Sequence, residues 1–174
     1  MGQTFSVVED NINSNVQHIW DTLCEVQDPE VPALSVVDLG IIRNIKILED
    51  RSVIVDVTPT YTGCPATQLI NSFIRIAIEA SGYEDVNIKT VLSPPWTSEW
   101  ISDEGRRKLK EYGIAPPVGK PEKRGALFGV AAEVNCPRCQ SEKTERISEF
   151  GSTACKALYK CGSCLEPFEY FKCL

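Results

Sequence analysis

The stretch Val53-Ile54-Val55-Asp56-Val57-Thr58-Pro59-Thr60-Tyr61-Thr62-Gly63-Cys64-Pro65-Ala66 passes through three kinds of local order. Val53, Val55 and Val57 alternate with Ile54 and Asp56, the period of a strand with one face buried. Pro59, Gly63 and Pro65 then interrupt any regular structure and make a loop. From Ala66 to about Ala80, Leu69, Ile70, Phe73, Ile74, Ala77 and Ile78 recur at helical spacing. Gly82 follows as the residue that ends such a helix in a left-handed conformation. Strand, loop and helix in this order make the first half of the chain a mixture of α and β.

The neighbouring segments extend the pattern. Asn13 or Ser14 is placed to cap a helix running to about Val26, with Val16, Ile19, Trp20 and Leu23 on one face. Asp28-Pro29-Glu30 and Pro32 stop it. Ile41, Ile42, Ile45 and Ile47 predict a strand, and Asp50-Arg51 the turn before Val53. Val86, Ile88 and Val91 predict a third strand, and residues 102–112 a short helix. The order α-β-β-α-β implies a small α+β sandwich with helices on one face of the sheet.

The chain has 174 residues, with 18 Lys plus Arg, 24 Asp plus Glu and a formal charge of −6. Residues 1–100 hold 14 acidic and 5 basic side chains, residues 101–130 hold 4 and 7, and residues 131–174 hold 6 of each. Such an acidic chain lacks the clustered cations that neutralise nucleic-acid phosphate. No apolar run approaches the ~20 residues of a membrane span, and the N-terminus lacks the pattern of a secretion signal. Gly113, Pro116, Pro117, Gly119, Pro121 and Gly125 predict a linker over 113–130. It separates an α+β domain over 1–112 from a Cys-rich domain over 131–174.

Eight cysteines without a secretion signal argue for free or metal-bound thiols in a reducing, cytoplasmic compartment. Six of them lie between Cys136 and Cys173. Cys136-Pro-Arg-Cys139 and Cys161-Gly-Ser-Cys164 are two C-x-x-C pairs, and each can form a knuckle aiming two sulfurs at one ion. Two knuckles close a tetrahedral four-thiolate site, which zinc prefers. Lys143–Glu149, Lys156–Lys160 and Phe168–Phe171 predict short strands around it, a zinc-ribbon layout that is too small to fold without metal. Four thiolates also suit an iron–sulfur cluster, held transiently or in place of zinc, and Cys155 and Cys173 are additional candidate ligands.

Cys64 is the second chemical candidate. With Pro65 in the first helical position it lies near a helix N-cap, where unpaired amides and the helix dipole favour an anionic sulfur. A Cys so placed suits a nucleophile, a metal ligand or a redox sensor. Thr58, Thr60 and Thr62 supply neighbouring hydroxyls, while Asp28 and Asp38 lie in turn-like stretches that can converge on the same end. The plain alternative is a small residue at a helix start beside turn-forming aspartates. His18 is the only histidine, so Ser-His and Cys-His catalysis have little to work with. Arg106, Arg107, Lys108 and Lys110 are read as a solvated helix face or a patch for an acidic partner. Trp96 and Trp100 are read as packing residues.

Asp28-Pro29-Glu30-Val31-Pro32, Ser35-Val36-Val37-Asp38-Leu39-Gly40-Ile41 and Thr60-Tyr61-Thr62-Gly63-Cys64-Pro65-Ala66 resemble the small domain of iron–sulfur assembly factors of the SufT type. With Pro94-Pro95-Trp96-Thr97, the cysteine pairs and the run Glu149-Phe150-Gly151-Ser152-Thr153-Ala154-Cys155-Lys156-Ala157-Leu158-Tyr159-Lys160-Cys161, nearly the whole chain is similar to the PaaD family of aerobic phenylacetate catabolism. The resemblance implies a non-enzymatic accessory of the phenylacetyl-CoA ring 1,2-epoxidase system. Its partners would be the di-iron oxygenase and iron–sulfur flavin reductase subunits, whose metal centres it helps to mature. It implies that Cys64 is the reactive position, with Asp38 near it. The alternatives are a structural subunit of the oxygenase and an iron–sulfur electron carrier. An exposed edge strand in so small a sheet also makes a homodimer an expectation.

Overall fold

The computed structural model describes residues 4–118 and 133–173, with backbone alone for residues 4–13. The chain divides into two compact units, Met1–Pro95 and Trp96–Leu174.

The first unit has the order α1 (Thr4–Cys24), β1 (Ile42–Ile47), β2 (Val53–Val57), α2 (Thr67–Ala80) and β3 (Val86–Thr90). This is the expected α-β-β-α-β sequence. β1 and β2 form an antiparallel hairpin, and β3 joins β2 in parallel after the α2 crossover. At the hairpin turn, Asp50 accepts from the amide and hydroxyl of Ser52, and Arg51 takes a left-handed φ of 67°. Val53, Val55 and Val57 bury one face of β2, Ile19 and Leu23 are buried on α1 and Ile70, Ile74 and Ile78 on α2, and α1 meets α2 and β1 while α2 meets β3. Both helices thus cover one face of the sheet. Helix α1 starts at Thr4 rather than at Asn13 or Ser14. No Pro or Gly falls between Thr4 and Cys24, and isolated Asn or Ser residues lower helix propensity without ending a helix.

The second unit carries a four-stranded sheet in the order β4 (Ile114–Ala115), β7 (Pro167–Phe171), β6 (Lys156–Cys161), β5 (Thr144–Ser148). Its core joins Ala115, Val134, Cys136, Ala157, Tyr159, Cys161, Phe168 and Tyr170. Tyr159 stacks on Phe168 and meets Tyr170 edge-on, with centroids 5.8 and 5.6 Å apart. α3 (Asp103–Tyr112) is capped by Ser102, whose hydroxyl accepts from Gly105 N, and ends at Gly113, where φ is 92°.

This arrangement differs from the expected domain limits, which placed residues 96–112 with the first domain. Strand β4 pairs in parallel with β7, Trp96 packs on Phe171, and Arg106 donates to the carbonyls of Ser98 and Pro117. The segment from Trp96 is therefore built onto the ribbon sheet. Of the expected 113–130 linker, Ile114 and Ala115 are strand, and residues 119–130 lie outside the described residues. The basic run on α3 is largely engaged: Arg106 holds carbonyls, and Arg107 is paired with Glu104 and Glu111 on its own helix.

Candidate metal centre and reactive loop

The two C-x-x-C pairs meet. Cys136, Cys139, Cys161 and Cys164 place their sulfurs within 4.8 Å of one another, with Cys139 Sγ to Cys161 Sγ at 3.5 Å and Cys136 Sγ to Cys164 Sγ at 3.7 Å. Cys136 lies in the turn leading to β5, and Cys161 ends β6. Pairing of Thr144 with Cys161 brings the two turns to the same end of the sheet. Each knuckle is closed by a backbone bond, Cys136 N to Ser141 O and Cys161 N to Glu166 O, both 3.0 Å. Ser141 and Ser163 hydroxyls meet at 2.7 Å, and Arg138 pairs with Glu166 at 2.8 Å, so side chains tie one knuckle to the other.

The knuckles share a conformation that the cysteine spacing does not announce. The residue after each second cysteine, Gln140 or Leu165, is left-handed, with φ of 61° and 64°. Such a φ is uncommon for a residue with a side chain, and for an aliphatic one it is strained. Gly162 also matters, because a Cβ there would lie 3.2 Å from Lys143 O, whose carbonyl accepts from Gly162 N.

The donor set suits a cation. Cys161 is lowered to about 6, first by the hydrogen bond from Cys164 N and further by that from Ser163 N, against an opposing desolvation. Cys164 is pushed up to about 12; the Glu166 amide favours its thiolate, but desolvation and the sulfurs of Cys161, Cys139 and Cys136 outweigh it. One thiolate is thus easy to form and the next is opposed by its neighbours. A divalent ion at the centre removes that opposition, so the four sulfurs fit a structural metal.

Cys155 and Cys173 do not join this group. Cys155 precedes Lys156, which pairs with Phe171 at the other end of the β6–β7 hairpin, roughly 20 Å along the strand from Cys161. Cys155 meets Thr153 Oγ1 at 3.0 Å, and Cys173 donates to Val118 O at 3.3 Å and meets the Tyr170 hydroxyl.

Cys64 lies in the loop between β2 and α2 and is partly exposed. The N-cap of α2 is Ala66, not Cys64. Pro65 and Ala66 form a turn in which Thr67 N donates to Cys64 O at 3.2 Å, which moves the N-cap two residues beyond the cysteine. Thr62 is exposed, and Gly63 with φ of 84° turns the chain before Cys64. Asp28 and Asp38 are buried and close their own loop. Asp28 Oδ1 accepts from Glu30 N and Val31 N, and Asp38 Oδ2 accepts from the amide and hydroxyl of Ser35. Among the described residues, Cys64 forms no group of three metal-ligating side chains. Thr58 Oγ1, at the start of the loop, is buried without a hydrogen-bond partner. His18 is exposed on α1. No described helix is long and apolar enough to cross a membrane.

Known proteins carry both halves. Residues 16–90 match the model of the iron–sulfur cluster assembly protein family, and residues 120–172 match the PaaD zinc beta ribbon domain. An Escherichia coli (strain K12) protein, provisionally named as the D component of 1,2-phenylacetyl-CoA epoxidase, is 47% identical over 91% of this chain and 93% of its own. A Staphylococcus aureus (strain USA300) protein named Fe-S protein maturation auxiliary factor SufT is 32% identical over 44% of this chain and 88% of its own. A crystal structure of a domain of unknown function, DUF59, from Bacillus anthracis covers 58% of this chain and 96% of that one, with a TM-score of 0.54 at 22% identity. That likeness speaks for the fold of the first unit's type, while the sequence matches run almost the full length, and the chain belongs to the PaaD family, an iron–sulfur-assembly domain followed by a four-cysteine zinc ribbon.

Proposed function

We propose that this protein is a non-catalytic maturation factor of the phenylacetyl-CoA ring 1,2-epoxidase system, acting in the cytoplasm on the iron–sulfur cluster of the reductase component. The observation that carries the reading is the contrast between the two thiol sites. The ribbon offers four sulfurs to one ion, a set that suits permanently held zinc. Cys64 offers a single partly exposed thiol in a loop, and among the described residues it joins no group of three metal-ligating side chains that would retain an ion. A lone thiol suits cargo that brings its other ligands with it, such as iron or a cluster in transit to a client. Three relatives named as Fe-S protein maturation auxiliary factors, each matching just under half of this chain, support the same reading. In this proposal Asp28 and Asp38 hold their own loop in shape, and the exposed Thr62 lies two residues before Cys64.

Cys64→Ser should leave both units folded and the ribbon metal in place, while lowering the cluster content of the reductase in cells that depend on this protein. Unchanged reductase cluster content would sink the proposal. The name of the Escherichia coli relative, which makes it part of an epoxidase, favours a second reading, a stable structural member of the oxygenase complex. That reading requires stoichiometric co-elution with the oxygenase, and C64S would not disturb it.

A further inference from the structure

The ribbon cysteines are not equivalent toward an oxidant, and we infer that the metal centre is a peroxide-sensitive lock that opens through a Cys139–Cys161 disulfide. This goes beyond the maturation role and rests only on the reading that the four sulfurs hold zinc. Cys139 and Cys164 are exposed, whereas Cys136 and Cys161 are buried, and of the two exposed sulfurs that of Cys164 is held by the Glu166 amide. Cys161 Sγ accepts from the amides of Ser163 and Cys164, each at 3.4 Å, which tie up its lone pairs. Among the described residues no backbone amide donates to Cys139 Sγ, so its sulfur is both the more accessible and the less restrained nucleophile. Cys161 Sγ stands 3.5 Å from it, across the seam between the knuckles.

The chemistry balances with a hydroperoxide as the oxidant. The Cys139 thiolate attacks one peroxide oxygen, the O–O bond breaks, and Cys139 becomes a sulfenic acid while hydroxide leaves and takes a proton. The Cys161 thiolate then attacks the Cys139 sulfur, forming the S–S bond and displacing a second hydroxide, which also takes a proton. Two thiolates, one hydrogen peroxide and two protons give one disulfide and two waters. The ion keeps two thiolates of four, and its affinity falls accordingly. Because Cys161 belongs to the ribbon core with Tyr159 and Phe168, losing the ion also loosens the packing of that end of the sheet.

The test uses the full chain carrying Cys24→Ser and Cys64→Ser, so that thiol loss reports the second unit. Zinc content is measured first, which judges the metal reading on its own. Hydrogen peroxide is then added in small excess, zinc release is followed with a chromogenic chelator, and disulfides are mapped by mass spectrometry. The expected result is that the earliest disulfide joins Cys139 to Cys161, that two thiols disappear for each zinc first released, and that dithiothreitol with zinc reverses both. C139S should slow disulfide formation at Cys161 at least tenfold, whether or not the variant keeps its metal. A first disulfide within one knuckle, zinc retained while Cys139 is oxidised, or first oxidation at Cys155 or Cys173 would each overturn the inference.

Discussion

Replacing Glu169 by Ala should cost the second unit about 3 kcal/mol, and Lys156→Met should cost it less. Lys156 Nζ lies 2.9 Å from Glu169 Oε2, with side chains 4% and 23% exposed. Glu169 Oε1 also accepts from Ser152 N at 2.6 Å, so one carboxylate neutralises a buried ammonium and anchors the 149–155 turn. Removing one member of a buried pair costs about 3–5 kcal/mol, because the other charge stays desolvated; partial exposure of Glu169 places the expectation at the lower end. Lys156→Met leaves the Glu169 carboxylate without its ammonium, but Glu169 is 23% exposed, keeps its hydrogen bond from Ser152 N, and Met fills similar volume, so the cost should be smaller, about 1–2 kcal/mol. The assay is urea unfolding of zinc-saturated protein in a Trp20→Phe background, where Trp96 and Trp100 report the second unit. With a slope of about 1–3 kcal/mol per molar urea, E169A should lower the midpoint by roughly 1–3 M. The Glu169 carboxyl is subject to desolvation, which raises it, but Ser152 and Lys156 outweigh this and hold it below its ordinary value. Its contribution is therefore complete at pH 7 and is lost only as the pH falls below the ordinary carboxyl range through the depressed value. Equal costs for E169A and K156M, or a cost below about 0.5 kcal/mol for E169A, would refute the reasoning.

Further measurements address other parts of the molecule. A strong chelator, or Cys161→Ser, should abolish zinc binding and the cooperative unfolding of the second unit while leaving the helical signal of the first, as read by circular dichroism. Leu165→Asn should stabilise the zinc-loaded ribbon by about 0.5–1 kcal/mol in the same urea assay, because Asn accepts the left-handed conformation that strains Leu165 and little burial is lost. Gly151→Ala should destabilise the second unit by about 1–2 kcal/mol, since a Cβ there would lie 2.7 Å from Glu169 Oε1. Thr58→Val should stabilise the first unit by about 1 kcal/mol by removing a buried hydroxyl that has no partner; a loss in thermal unfolding would contradict this.

Much of the fold is legible because short-range patterns decide it. Alternating Val53, Val55 and Val57, the helical recurrence of Ile70, Ile74 and Ile78, and Gly82 after α2 each state a local preference that packing then follows. Leu69 and Phe73 have the same periodicity and stay exposed, since a helix against one sheet face buries only one stripe. The Asn13 or Ser14 start fails because polar residues that cap helices are also tolerated inside them. The Cys64 N-cap is displaced because Pro65 and Ala66 make a turn of their own before α2.

Residue type and spacing suffice for the α-β-β-α-β order, for the pairing of two cysteine knuckles and for the separation of a lone Cys64 from a crowded thiol cluster, because each is a local pattern along the chain. Which side of Pro95 the 96–115 segment belongs to depends on a contact distant in sequence, since a two-residue strand beside β7 leaves no periodic trace. Strand register likewise excludes Cys155 and Cys173 from the four-sulfur group, sending them to the opposite end of the β6–β7 hairpin from Cys161. Folding also distinguishes Cys139 from Cys161, chemically identical in sequence, by burying one sulfur under two amides and leaving the other open to solvent.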